Sequence, residues 1–307
     1  MSGTTDVGEL THAAYLRGQA IPPWSVLACP AHSVTSHVAI MVGARGQTNT
    51  LATACAAGLD AIGWASHAIE SGRATLVLAG GTDAPLSPYS LKLFQAAGVL
   101  SKWSGPPAQA SRPFDRLRSG LVLAEGAALL LIENEDHARS RGAPIYAAIR
   151  GFSSLTEGTH LRKVDISGAS DSRVLSDAIT SAGLSPPDID YISAHGNSML
   201  DYDAAETAGI KQALRSHAWN IPVSSIKSMI GQMLGATGAL QVVAACLSLR
   251  DQLIPPTINY EFPDPSCDLD YVPNIPRPAR LRHVLVHAHG MGGSHSALVL
   301  AHPNSIL

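Results

Sequence analysis

The chain has 307 residues, 46% of them apolar and 15% charged, with a formal net charge of -3. Acids and bases are mixed along it with no polybasic block or acidic tail, so nucleic-acid and membrane-surface binding lack an electrostatic footprint. No run reaches the roughly twenty uninterrupted apolar residues of a membrane span, and the start of the chain lacks the basic and apolar regions of a signal peptide. A cytoplasmic globular protein is the expectation. Cys29, Cys55, Cys246 and Cys267 are widely spaced, with no Cys-x-x-Cys pair, which favours reduced thiols. No two of the thirteen histidines sit at zinc-binding spacing beside cysteines, and no metal, nucleotide or flavin site is expected.

Short apolar runs alternate with Ala-rich stretches, the pattern of a layered α/β protein. The first fifty residues are polar and read as irregular until a strand-like run at 46–53. A helix follows at 55–71 and a buried strand at 74–81. Residues 101–113, with Trp103, Gly105, Pro106 and Pro107, break the pattern and read as a surface loop. Residues 121–132 form one or two buried strands. Helices are expected at 171–182, 203–216 and 235–252, and short strands at 189–194 and 282–287. The proline-rich stretch 253–278 reads as an extended arm on the surface.

Cys55 lies where the strand-like run meets a helix, in Ala52-Thr-Ala-Cys-Ala-Ala-Gly-Leu59. A thiol at a helix N-terminus faces the positive end of the dipole, which favours thiolate. A buried structural cysteine fits the same segment, and the segment alone leaves both roles open. His195, in Ser193-Ala-His-Gly-Asn-Ser198, sits on a sharp turn after a predicted strand, where it meets either a reacting group or the backbone. Asp203 and Glu206 share a helix face, and capping is the expected role of Asp203. Lys227 lies in an apolar, glycine-punctuated stretch, which requires it to be buried and paired. His287-Ala-His-Gly-Met-Gly-Gly-Ser-His295 is a glycine-rich turn whose amides can face an oxyanion.

Taken together, these segments resemble the β-ketoacyl-acyl-carrier-protein synthases, the elongating ketosynthases of fatty-acid and polyketide assembly. The likeness runs from about Arg45 to Leu300. It includes Thr53-Ala-Cys55, Ala79-Gly-Gly81, Ser111-Arg-Pro-Phe-Asp115, Ala194-His-Gly196, Lys227-Ser228, Pro255-Pro-Thr-Ile-Asn259 and Asp268-Leu-Asp-Tyr271.

The resemblance implies a thiolase-like fold layered α-β-α-β-α, with the first half incomplete because family members carry a longer N-terminal segment. Residues 1–134 would be the remainder of the first half, carrying Cys55. Residues 135–307 would be the second half, carrying His195, Lys227 and Gln232. It implies Cys55 as the acyl-accepting nucleophile, His195 as the first of two assisting histidines, and Lys227 with Glu206 as their supporting charged pair. The backbone amides of Cys55 and Met291 would form the oxyanion hole. Asn197 and Met199 fall where two threonines usually contact the pantetheine arm, so Met199 supplies no hydroxyl there.

Gln232 stands where the family has its second histidine; it can donate a hydrogen bond but cannot exchange a proton near neutral pH. His289 and Met291 replace two phenylalanines, and His289 is expected to bring an imidazole towards the pocket.

The implied function is acyl transfer to Cys55 followed by decarboxylative condensation with a carrier-bound malonyl-type extender. The alternatives are a non-decarboxylating acyltransferase or thioester hydrolase using Cys55 and His195, and a non-catalytic partner subunit of a ketosynthase. No cofactor is expected on this chain. Phosphopantetheine would arrive on an acyl carrier protein, and the chain would form a homodimer, or a heterodimer with a ketosynthase-like chain, through residues 47–53.

Overall fold

A computed structural model describes residues 4–305; residues 1–3 and 306–307, and with them the start of the segment read for a signal peptide, lie outside that range. The strands in chain order are β1 (Leu76–Asp83), β2 (Gly126–Glu133), β3 (Ala148–Thr156), β4 (Tyr191–Ser193), β5 (Val223–Ser224), β6 (Leu253–Ile254), β7 (Arg277–Pro278), β8 (His283–Gly290) and β9 (Ser294–Ala301). A mixed five-stranded sheet has the order β3-β9-β8-β4-β5; β1-β2 and β6-β7 form two small antiparallel sheets. The expected strands at 74–81, 189–194 and 282–287 correspond to β1, β4 and β8. The run at 121–132 is one strand, β2, preceded by isolated bridges from Leu121 to Leu100 and from Leu123 to Gln232.

β8 and β9 are buried almost throughout because the sheet is covered on both faces, which favours continuous apolar runs over alternation. Leu285, Ala297 and Val299 face a core shared with the helices Ala169–Ser181 and Leu200–Leu214. Val284, Val286, Leu298 and Leu300 face the other way, into a core shared with Leu59 and Ile62 of the helix Ala57–Glu70 and Val242 and Leu249 of the helix Thr237–Asp251. Ala79 and Ala128 of the β1-β2 sheet join that second core. Helices and sheets therefore alternate in layers, as in a thiolase-like fold. Leu76, Leu129 and Leu131 of β1-β2 are 43%, 52% and 50% exposed, so one face of the first half's sheet is open.

Four expectations are corrected. The first fifty residues are largely helical (Thr4–Leu16, Ser25–Ala28 and Ser33–Val42). Their apolar residues lie largely on the surface, with Leu10, Ile40 and Met41 more than two-thirds exposed, so no buried stripe marked them as helices. Residues 46–53 form no strand with any other segment among the described residues. The loop at 101–113 is exposed only in its first part. Its end is buried, because Ser111 donates to the Lys227 carbonyl at 2.7 Å and the Arg112 amide to Ser198 Oγ at 3.2 Å. The stretch 253–278 is no surface arm either: Ile254, Cys267, Leu269, Tyr271 and Val272 are buried, and Tyr271 stacks on Phe114 at 4.0 Å.

Loop and arm are joined by Asp115, which pairs with Arg112 Nε at 3.0 Å and accepts the amides of Glu261 and Phe262 at 2.7 Å each. Both charged side chains are fully buried. Asp115→Ala leaves the Arg112 guanidinium to Glu261 and the Gln109 carbonyl and strands the amides of Leu117, Glu261 and Phe262; it should lower the unfolding free energy by about 3–5 kcal/mol in urea titrations, and a loss below about 1 kcal/mol would show that the network is not buried in solution.

Candidate active site

Cys55 is 4% exposed and sits in a short 3-10 turn, Ala54–Ala56, ahead of the helix Ala57–Glu70. Ala54 has φ 52°, a left-handed conformation that costs a non-glycine residue about 1 kcal/mol or more. The surroundings hold the turn in that state. Asp60, from the following helix, accepts hydrogen bonds from the Thr53 and Ser296 hydroxyls, tying the turn to β9. The end of β8 passes so close that a Cβ on Gly290 would lie 2.9 Å from the Thr53 carbonyl and 3.2 Å from the Cys55 amide. Only glycine allows that approach. It brings the Met291 amide to hydrogen-bond with Cys55 Sγ. Phe94, Leu121, Leu123 and Leu234 pack around Cys55, with Met199 and Met291 partly buried beside it.

The expected thiolate does not survive this environment. Burial pushes the Cys55 thiol up to about 11, outweighing the opposing pull of Lys227 and of the Met291 amide; Asp83 pushes the same way as burial. The helix dipole favours an anion in principle, but a fully buried sulfur loses more from lost hydration.

The turn carrying His195 is held from both sides by buried charges. Glu206 accepts the His195 and Gly196 amides at 2.6 and 2.7 Å. Lys227 Nζ donates to the His195 carbonyl and, at 3.2 Å, to Gln241 Oε1. Lys227 and Glu206 thus act on the same peptide turn through opposite backbone groups. Asp203 is not a helix cap: the helix begins at Leu200, and the Asp203 carboxylate accepts the Phe114 and Asn197 amides at 2.8 and 2.9 Å. Burial lifts Asp203 to about 6, against Arg118. Gly196, at φ 28°, lies under Phe114, whose ring would be 2.7 Å from an added Cβ.

His195 Nδ1 accepts the His289 backbone amide at 3.2 Å, which places the proton of the neutral ring on Nε2. Burial and the Lys227 ammonium hold its pKa well below the ordinary histidine value. His195 is therefore a neutral N–H donor at physiological pH. Burial in turn brings Lys227 down to about 8 against the pull of Glu206. Asn197 Oδ1 accepts the Met199 amide at 3.0 Å, and its Nδ2 lies 3.2 Å from His195 Nε2, a contact between two donors in this tautomer and not a hydrogen bond.

Gln232 is 1% exposed and its Oε1 accepts the Thr237 hydroxyl at 2.9 Å, while that hydroxyl oxygen accepts the Met233 amide. Its Nε2 is left without a hydrogen-bond partner among the described residues. The neighbouring turn Leu234–Ala236 packs on the Cys55 turn. The His289 ring stacks on His295 at 3.8 Å and on Tyr202 at 4.7 Å, with its nitrogens towards Asp171 and Glu157.

Residues 7–138 match the β-ketoacyl synthase N-terminal domain and residues 146–261 its C-terminal domain. A putative polyketide β-ketoacyl synthase 1 of Streptomyces cyaneus is 46% identical over 271 residues, 88% of this chain and 64% of that protein. A ketosynthase solved in complex with its type II polyketide acyl-carrier protein and bound to the hexaketide superposes with TM-score 0.93 at 37% identity, covering 97% of this chain and 75% of that one. The chain belongs to the β-ketoacyl synthase family. The ishigamide ketosynthase/chain length factor also matches, with TM-score 0.88 and 31% identity over 96% of this chain and 72% of that one. The chain spans about 64% of the length of the first curated relatives it matches.

Sequence reasoning missed several supporting residues of this candidate site. Gln241 donates to the Ala194 and His287 carbonyls at 2.8 and 3.0 Å, binding β4 to β8 beneath the His195 turn. Asp171, His287 and His295 gather behind that turn. A histidine pair two apart on a strand, with a third at the mirrored position after a Met-Gly-Gly turn, was the available signal.

With the thiol near 11, alkylation of Cys55 by iodoacetamide should rise about tenfold per pH unit from pH 6 to 8. The rise should flatten above pH 8 as Lys227 loses its charge and its help to the thiolate. Intact-mass kinetics read this directly, and a rate already at its plateau by pH 7 would contradict it.

Proposed function

We propose that Cys55 takes an acyl group from an acyl-carrier-protein thioester and passes it to a malonyl-type extender, in the manner of a polyketide or fatty-acid ketosynthase. In the first step Cys55 Sγ adds to the thioester carbonyl, the pantetheine thiol leaves with the cysteine proton, and the acyl chain stays on Cys55. In the second, the extender's carbon–carboxylate bond breaks with release of carbon dioxide. The resulting carbanion attacks the acyl carbonyl, and the Cys55 sulfur departs and regains a proton.

The observation that carries the reading is that N–H donors are fixed on the segments around one buried thiol turn. The Met291 amide points at Cys55 Sγ and His195 carries its proton on Nε2. Gln232 keeps an unpartnered amide on the segment packed beside them. Donors fixed before the reaction stabilise an oxyanion without reorganisation, typically by about 10²–10³-fold in rate each. Gln232 would serve the carbonyl of the extender's thioester as a neutral histidine does, because that role needs a donor and no proton exchange. The apolar side chains around Cys55 suit an acyl chain, and Asn197 and Met199 border the approach of the pantetheine arm. A relative solved with its carrier protein supports such a partner here. The ketosynthase/chain length factor relative supports pairing with a similar chain, for which the unpaired residues 46–53 are a ready edge.

A second reading, acyl transfer without decarboxylation, is favoured by one observation: Gln232 cannot shuttle a proton.

Incubation with acyl-carrier-protein thioesters, then with a malonyl carrier, followed by intact-protein mass spectrometry, tests both. The expected result is an acyl adduct absent in Cys55→Ala, converted to a β-ketoacyl carrier product. Gln232→Leu should keep the adduct and lower the second step by about 10²–10³-fold. An adduct that passes only to water or another acceptor supports the second reading. No adduct on folded protein overturns both and leaves the non-catalytic partner role.

A further inference from the structure

Behind the His195 turn lies a group of side chains that acyl transfer does not use. His287 and His289, two apart on β8, and His295, directly opposite His289 on β9, project from one face of the hairpin. That face meets Asp171, in the first turn of the helix Ala169–Ser181. Asp171 Oδ1 lies 3.4 Å from His287 Nε2, 3.6 Å from His289 Nδ1 and 3.4 Å from His295 Nδ1. None of these contacts is a hydrogen bond, and all four atoms lack any hydrogen-bond partner among the described residues. The four side chains are 0–2% exposed.

Tautomers make the arrangement more demanding. His287 Nδ1 faces Glu206 Oε1 at 2.7 Å, so its proton belongs there and Nε2 presents a lone pair to Asp171. His295 Nε2 faces Glu157 Oε2 at 3.4 Å, which likewise leaves Nδ1 as a lone pair towards the same oxygen. Lone pairs of imidazoles aimed at a buried carboxylate oxygen repel unless a proton or a metal ion lies between them, and three nitrogens facing one oxygen suit a single shared metal ion better than separate protons. A histidine that donates its outer N–H to a carboxylate and turns its other nitrogen inward is the habit of metal ligands. With bonds of about 2.0–2.2 Å, adjacent ligand atoms of a tetrahedral zinc site lie about 3.3–3.6 Å apart. The three contacts to Asp171 Oδ1 have that spacing.

We propose that Asp171 Oδ1, His287 Nε2 and His295 Nδ1, from three side chains whose ligand atoms lie within 4.8 Å of one another, bind a divalent first-row transition metal such as Zn²⁺, with water in the fourth position. Nitrogen-rich ligation at this spacing favours such an ion over Mg²⁺ or Ca²⁺, which take oxygen ligands. Glu157 and Glu206 are positioning residues for His295 and His287. The ion offsets three carboxylates whose side chains are at most 2% exposed. It also pins the hairpin whose His289 amide sets the His195 tautomer, so its role is structural support.

The test is metal content and cobalt binding on the full chain. Protein stripped with chelator should bind one equivalent of Co²⁺ with the visible bands of a tetrahedral site, release it to Zn²⁺, and melt higher with Zn²⁺ than without. His295→Gln should abolish the bands while far-ultraviolet dichroism is retained, and Glu157→Gln, which keeps all three ligands, should weaken affinity about 10–100-fold. Folded wild-type protein without cobalt bands, or a folded His295→Gln variant with unchanged bands, overturns the proposal. If His295→Gln does not fold, Glu157→Gln decides: unchanged affinity overturns the site.

Discussion

Burying ions is expensive, and this site is organised around two that are buried for one purpose. Lys227 and Glu206 hold the single turn that carries His195, one through its carbonyl and the other through its amides. Neither charge can rearrange cheaply in a medium of low dielectric, so the backbone between them is fixed. From that turn the rest follows. Asn197 and Asp203 extend the lattice to the 111–118 loop, Gln241 extends it to β8, and the His289 amide sets the proton on His195. The reactive thiol lies beside this lattice and contributes nothing to it.

The same economy explains a neutral resting site. A buried thiol near 11 and a histidine held well below its usual range both favour uncharged forms. In the proposed reaction charge would appear only in the transition state, where donors fixed in a buried site gain most. In such a site the replacement of an imidazole by the amide of Gln232 preserves a donor and its orientation, set by Thr237, and gives up only titration.

Much of this was legible in the residues. Cys55, His195, Lys227 and Glu206 each sit on short motifs whose local chemistry is distinctive, and the strands β1, β4 and β8 announce themselves as apolar runs ending in glycine or a sharp turn, although β1 is buried on one face only. What the sequence hid is of two kinds. The helices before residue 45 leave apolar residues exposed, and the arm at 253–278 buries its residues without any regular period, so neither carries a periodic signal. The partners of Asp171, Glu157 and Gln241 are formed by pairing of distant segments, and no spacing along one chain encodes them. Asp203 shows the limit well: its position in a first helical turn suggests a cap, yet its carboxylate serves the neighbouring loop.

Surface turns ordinarily absorb insertions, since little else depends on their length. The turn between β8 and β9 is an exception. On one strand it fixes Met291 against the thiol; across the ladder it sets His289 opposite His295. Side chains alternate faces along a strand, so one added or lost residue would exchange the histidine face for the apolar one beyond the turn. Three residues of turn thus carry a length constraint as strict as that of a core helix, and variation in this region of the molecule has to come by substitution alone.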